Sequence, residues 1–119
     1  MENKICTTIE QSKKLIELGI DVNTADMCYR IVAYNPDDIH VYQPYCFAGT
    51  LESDIPAWSL AALLGLMPNV KGHYPELCRG KLTGQYYMWI EEIFDTQMFN
   101  NPVDAAIEMI VWLKENKKL

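Results

Sequence analysis

The longest apolar stretch without a charged side chain lies near the middle of the chain, between Ile55 and Met67. Pro56 suits the first position of a helix, because the N–H that it lacks would be unpaired there in any case. Asp54 precedes the stretch as a capping acceptor, and Pro68 ends it. A helix that is apolar all round is normally buried. The pattern therefore predicts a central core helix.

The two faces of this predicted helix differ in side-chain size. The large apolar residues share one face, namely Leu60, Leu63, Leu64 and Met67. The opposite face carries small residues, including Ala61 and Gly65, that let a second backbone approach closely. We expect the leucine face to pack on a sheet and the small face on a neighbouring helix. Gly65→Leu is then expected to overpack the core and destabilise the fold.

Two further helices are predicted, one towards each end of the chain. The first runs from about Thr8 to Leu18, and Thr7 and Glu10 have the spacing of a capping box at its start. Its charged residues share one face, so it should lie on the outside of the fold. The last helix begins at Asn101-Pro102, an N-cap followed by proline, and continues to about Asn116. Its polar stripe is narrow, so it should be an inner helix.

Strands are predicted where β-branched and aromatic residues concentrate. Met27–Tyr34 is one strand, Asn35–Asp38 is a turn, and Ile39–Tyr42 is the returning strand of a hairpin. Gln85–Phe94 is the clearest strand, and Thr96–Phe99 is a short one after it. The expected fold class is α+β: an antiparallel sheet of about three to five strands packed against three main helices, in a single two-layer domain that covers the whole chain.

Composition and charge restrict the expected domain size, binding partners and cellular location of the protein. The chain has 119 residues, half of them hydrophobic and 22% charged, which is enough for one domain with a sizeable core. A net charge of -6 argues against nucleic-acid binding, which needs clustered Lys and Arg. The N-terminus has no apolar signal-peptide core, and the central helix is shorter than the roughly 20 residues that cross a bilayer. We therefore expect a cytoplasmic protein without membrane contact.

The four cysteines do not form a recognisable metal or disulfide pattern. Cys6, Cys28, Cys46 and Cys78 lie far apart with no C-x-x-C pair, and buried reduced thiols are the expected state. His73 with Cys46 and Cys78 would supply at most three zinc ligands, whereas structural zinc takes four in closely spaced pairs. Neither a metal site nor a cofactor is predicted.

Aromatic residues are the feature that could mark a contact surface. Alternation along the clearest strand sends Tyr86, Met88 and Ile90 to one side and Tyr87 and Trp89 to the other. Burial is favoured over exposure for these rings, because large aromatic side chains are mostly buried. If they are exposed, Tyr87 and Trp89, with Tyr45 in a separate loop region, are the candidate contact residues for a protein partner or a homodimer.

Three functions stay open at this stage. The favoured one is a small non-enzymatic binding or regulatory protein that acts through a protein-protein surface. The second is a small enzyme with a site near Cys46, His73 or Glu91, which requires that at least two of these meet in a pocket. The third is an acidic decoy of a nucleic-acid-binding protein, which requires a continuous carboxylate face that includes residues such as Asp104, Glu108 and Glu115.

Three segments also resemble a group of bacterial proteins. They are SKKLIELGIDVNTADM (Ser12–Met27), PAWSLAALLGLMP (Pro56–Pro68) and FNNPVDAAIEMIVWLKEN (Phe99–Asn116). These segments resemble small uncharacterised proteins of gut Bacteroides and related bacteria, which are often encoded in phages, prophages or mobile elements. The resemblance implies a bacterial, cytoplasmic setting and a mobile-element origin. It assigns no active residues.

Overall fold

The computed structural model describes residues 4–34 and 40–119, and these residues form helices and strands in two units. The elements, in chain order, are α1 (Ile9–Glu17), β1 (Met27–Tyr34), β2 (His40–Tyr45), β3 (Ile55–Ala57), α2 (Leu60–Gly65), β4 (Glu76–Arg79), β5 (Tyr86–Ile90), β6 (Phe94–Asp95) and α3 (Pro102–Glu115). One unit is Cys6–Ser59, here called the first unit. The second unit is Leu60–Leu119 with the N-terminal segment that ends at Ile5.

The strands form two antiparallel sheets of three strands each, in the orders β2-β1-β3 and β4-β5-β6. The first sheet belongs to the first unit and the second sheet to the second unit. The predicted α+β class, with antiparallel strands and three helices, is therefore confirmed, although the strands form two sheets and not the one sheet that was expected. The prediction of a single domain stays a prediction.

The first unit is built around β1, the central strand of its sheet. β1 has the predicted bounds, pairs with β2 on one side and β3 on the other, and bulges between Ile31 and Ala33. The predicted turn Asn35–Asp38 and the start of the returning strand at Ile39 lie outside the described residues. The returning strand continues to Tyr45, three residues beyond its predicted end.

Thr7 joins the segments of the first unit by hydrogen bonds. Its amide donates to the Trp58 carbonyl at 2.9 Å, and its hydroxyl accepts from the Trp58 amide at 3.1 Å. The Tyr29 hydroxyl donates to the Thr7 carbonyl at 2.8 Å. Thr7 and Trp58 are fully buried, and the Trp58 indole Nε1 donates to Thr24 Oγ1 at 2.9 Å. The buried polar groups of this cluster are therefore hydrogen-bonded to other protein atoms in place of water.

The capping box of α1 lies one residue later than predicted. Thr8, not Thr7, is the N-cap, and its hydroxyl accepts from the Gln11 amide while the Gln11 side chain accepts from the Thr8 amide. The Thr7 hydroxyl already accepts a hydrogen bond from the Trp58 amide. Gln11 can take the place of the predicted Glu10, because the motif accepts Gln or Glu at this position. The amphipathic character of α1 is as expected, because Ser12 and Leu15 are buried while both lysines are exposed.

The second unit consists of α3 packed on β5 and β4, with α2 against α3. α3 begins after Asn101, whose side chain accepts from the Asp104 amide, so the predicted cap and proline position are correct. Its buried residues include Val103, Met109, Ile110 and Leu113. The Phe94 and Trp112 rings stack with centroids 4.6 Å apart. The prediction of a deeply packed last helix is confirmed.

The predicted central helix is largely wrong. Residues 55–57 form the edge strand β3, in which Pro56 lies opposite Cys28, and the helix is reduced to the six residues of α2. An edge strand tolerates proline because one side of its backbone needs no ladder partner. The predicted packing of the small face is also wrong. Ala61 and Gly65 are exposed, and a Cβ on Gly65 would have no neighbour within 4 Å, so Gly65→Leu would not overpack a core.

Within the described ranges, no helix is both long enough and apolar enough to cross a membrane.

A buried carboxylate closes the loop that follows β2. The Asp54 side chain is 1% exposed and accepts from Arg30 Nε at 3.0 Å and Arg30 Nη2 at 2.8 Å. It also accepts from the amides of Thr50 and Leu51, at 3.1 and 2.9 Å. These bonds, the one from Arg30 first, lower the pKa of Asp54 from 3.8 to about 2, against the opposing effect of burial.

The depressed pKa predicts how stability depends on pH. The Asp54 carboxylate stabilises the folded state above its unfolded pKa near 3.8, and this contribution is lost as the pH falls towards about 2. We expect Asp54→Asn to lower the free energy of unfolding by about 1–3 kcal/mol at pH 7. The gap between wild type and variant should close as the pH falls through this window, as measured by urea unfolding.

Glu52→Gln is the matched control, because Glu52 is an exposed carboxylate in the same loop. It should change the free energy of unfolding by less than about 0.5 kcal/mol at pH 7. A gap for Asp54→Asn that stays constant from pH 7 to pH 2 would contradict the assignment.

Candidate binding surface

The strand β5 presents two different faces. Met88 and Ile90 are fully buried on the side where α3 packs, whereas Tyr87 and Trp89 on the other side are half-buried. The predicted alternation is therefore present, and both predicted contact residues retain solvent-accessible surface. We call Tyr87, Trp89 and the residues beside them on the neighbouring strands (Glu76, Cys78 and Asp95) the aromatic face.

Carboxylates flank Trp89 on both sides. Glu76 of β4 and Asp95 of β6 are its cross-strand neighbours, and both are exposed. Neighbours directly opposite in an antiparallel sheet have their Cβ atoms about 4.5–5.5 Å apart. This grouping was not predicted from the sequence, because no strand was predicted at Glu76–Arg79. The alternation in a four-residue segment between Pro75 and Gly80 is too short to indicate one.

Tyr87 is held by its neighbour on β4. Cys78 lies opposite Tyr87, and a hydrogen bond between their side chains is the main cause that raises the pKa of the Tyr87 hydroxyl. The negative charge that Cys78 would carry when ionised, burial, and the charge of Asp95 act in the same direction. The Tyr87 hydroxyl therefore stays a neutral phenol at physiological pH.

The indole of Trp89 has an unusual polar environment. Its Nε1–H is shielded from solvent and has no hydrogen-bond acceptor among the residues that the structure describes. A buried donor without a partner costs about 1–3 kcal/mol. A shallow depression of about 310 Å³ lies beside the ring and is lined by Trp89, Glu92, Ile93, Phe94 and Asp95.

Tyr45, the third predicted contact residue, belongs to a different cluster. It ends β2 in the first unit, where its ring centroid lies 5.3 Å from that of Phe47. The Arg30 guanidinium lies over the Phe47 ring at 5.1 Å. The structure thus places Tyr45 with Phe47 and Arg30 in the first unit, while Tyr87 and Trp89 belong to the second.

The residues suggested for an enzyme are distributed over both units. His73 Nδ1 and Glu91 Oε2 are 3.8 Å apart, but both side chains are about half exposed and neither lines a described pocket. Cys46 is exposed in the first unit. Cys6 and Cys28 are buried as expected, whereas Cys46 is exposed and Cys78 is half-buried. No three metal-ligating side chains come together in residues 4–34 or 40–119.

Two of the three α3 carboxylates suggested for a decoy have internal partners. Asp104 accepts from Lys4 Nζ at 2.6 Å and from the Asn101 amide side chain at 2.9 Å. Glu108 accepts from the Gln97 amide at 2.8 Å. Glu115 is exposed at the C-terminal end of the helix. Asp104 and Glu108 therefore hold neighbouring segments of the second unit in place.

Comparison of the chain with models of protein families, with curated proteins and with solved structures finds no match in any of the three. The resemblance to proteins of gut Bacteroides therefore stays a prediction.

The unpaired indole N–H gives a stability prediction. Trp89→Phe keeps an aromatic ring and removes the donor, so we expect the free energy of unfolding to stay within about 0.5 kcal/mol or to rise by about 1 kcal/mol. Trp58→Phe is the matched control, because its Nε1–H donates to Thr24 and its ring is fully buried. Its free energy of unfolding should be about 1–3 kcal/mol lower than that of the wild type in the same urea titration. Equal losses in the two variants would contradict the assignment.

Proposed function

We propose that the protein is a small non-enzymatic binding protein that contacts a protein partner through the aromatic face. The observation that carries the proposal is the pair of half-buried rings, Tyr87 and Trp89, on the central strand of a sheet. Tyr and Trp dominate the energetics of protein interfaces, because they bury large apolar areas with few rotatable bonds.

The position of these rings favours tight contact. β5 is paired on both sides, and its other face is anchored on α3 by Met88 and Ile90. A side chain that is already ordered loses little conformational entropy on binding, so more of the contact energy appears as affinity.

The charges beside the rings support a partner of opposite charge. Glu76 and Asp95 flank Trp89, and the chain as a whole carries a net charge of -6. A Lys or Arg side chain over the indole would gain both a cation–π contact and an ion pair. We infer a partner segment that carries a basic residue between apolar ones.

The same charges disfavour a homodimer through this face. In a two-fold symmetric dimer the same patch meets itself, so Glu76 and Asp95 of one copy would approach those of the other. Like charges at such short distances repel. A heterologous, basic partner is therefore the better fit.

An array of synthetic peptides tests this proposal without a known partner. Each spot carries Gly-Leu-X-Leu-Gly, with Lys, Arg, Gln or Glu at X. We expect the wild-type protein to bind the Lys and Arg peptides about fivefold more than the Gln peptide, which corresponds to about 1 kcal/mol. Glu76→Gln with Asp95→Asn should remove this preference, and Tyr87→Ala should lower binding to both basic peptides.

Two matched controls separate the aromatic face from general charge and general aromaticity. Glu115→Gln removes an exposed carboxylate of the second unit, and Tyr74→Ala removes an aromatic ring that is 65% exposed. Both should bind like the wild type. Equal effects of these controls and of the aromatic-face variants, or no preference for basic peptides, would refute the proposal. A dimer that dissociates on Tyr87→Ala would replace the basic partner by a second copy.

A further inference from the structure

A groove of about 840 Å³ lies elsewhere on the second unit, at the end of β4 and β5. Its lining includes Arg79, Tyr86 and Phe99. Asp104 at the start of α3 and Lys4 of the N-terminal segment also line it. Tyr86 is on the same side of β5 as Met88 and Ile90, so the groove opens on the face of the sheet opposite Tyr87 and Trp89. This volume is in the range of sites that enclose small ligands or short peptide segments.

Arg79 is held in place by the turn that joins β4 to β5. Its Nε donates to the Gly84 carbonyl at 2.9 Å, and its guanidinium carbon lies 5.2 Å from the centroid of the Tyr86 ring. The turn itself is closed by the Gly84 amide, which donates to the Gly80 carbonyl at 2.9 Å. Gly84 has φ +70°, and a Cβ there would contact the guanidinium at 3.6 Å.

The terminal Nη groups of Arg79 have no partner in the part of the chain that the structure describes. A guanidinium that is fixed through Nε and an aromatic ring still presents donors that suit a carboxylate. Because the position of the fork is set before binding, little side-chain entropy is lost when it meets an anion.

The other charges in the groove cancel. Lys4 Nζ lies 2.6 Å from Asp104 Oδ1, and their side chains are only 15% and 28% exposed. Among the lining residues that the structure describes, this leaves Arg79 as the charge without a charged partner, in a protein of net charge -6. A single carboxylate balances a single guanidinium, whereas a phosphate dianion would exceed it.

Apolar side chains are exposed along the same groove. Met98 is 44% exposed and Ile5 is 56% exposed, and both line the groove beside Phe99. An occupant that placed a carboxylate on Arg79 could cover these side chains with an apolar neighbour. C-terminal carboxylates are typically held by backbone N–H groups, whereas acidic side chains are typically recognised by arginine.

We propose that this groove binds an extended protein segment in which a Glu or Asp side chain, next to an apolar residue, pairs with Arg79. The proposal is independent of the aromatic face, because it uses other residues, the opposite side of the sheet and a ligand of the opposite charge.

The same peptide array, extended with phosphoserine at X, tests it. We expect the wild type to bind the Glu peptide about fivefold more than the isosteric Gln peptide. Arg79→Gln should reduce this ratio to about one, and Arg79→Lys, which keeps the charge without the fork, should leave an intermediate ratio. Thermal melts followed by circular dichroism verify that each variant is folded before its binding is compared.

Lys81→Gln is the matched control, because Lys81 is an exposed cation in the same turn that does not line the groove. It should retain the wild-type ratio. A ratio near one in the wild type, or equal losses in Arg79→Gln and Lys81→Gln, would overturn the proposal. Stronger binding of the phosphoserine peptide than of the Glu peptide would also overturn it, in favour of a phosphate site.

Discussion

The alternation of side chains along β5 is the constraint on which the second unit depends. Met88 and Ile90 must point towards α3 for that helix to bury its apolar side. The pleat of the strand then requires Tyr87 and Trp89 to point the other way. A shift of one residue would expose the two buried side chains and remove both rings from the surface. Stability and the proposed function thus share a single strand register.

Two groups of charged residues in the second unit have different surroundings. Lys4, Asp104 and Glu108 bond to neighbouring segments and fix the position of α3. Glu76 and Asp95 lie on the aromatic face and Arg79 lines the groove, and we propose that these charges select a partner. The acidic net charge by itself indicates no function, since part of it is used internally.

Elements with strong local signals could be predicted from the sequence. The β-branched and aromatic run gives β1 its bounds, and Asn101-Pro102 marks the start of α3, because in both cases the local preference agrees with the packing. The segment around Pro56 was predicted wrongly because a short apolar run does not distinguish strand from helix. Its strand character comes from pairing with Cys28, which is distant in sequence.

The candidate sites also divide into features with a local sequence signal and features that depend on pairing between strands. The common face of Tyr87 and Trp89 is a property of one strand, so alternation predicted it. The carboxylates beside Trp89 depend on cross-strand register, and so does the Arg79–Tyr86 pair. β4, which carries Arg79, has only four residues and is flanked by Pro75 and Gly80, so its sequence gives no local strand signal.

The most direct test of the central claim uses the three tryptophan side chains, Trp58, Trp89 and Trp112, as reporters. Their indole N–H resonances can be followed by ¹H–¹⁵N NMR while the Lys-centred peptide is added. We expect the Trp89 indole resonance and the backbone amide resonances of Glu76 and Asp95 to shift, while the indole resonances of Trp58 and Trp112 stay in place. Shifts at Trp58 or Trp112 with Trp89 unchanged would contradict it.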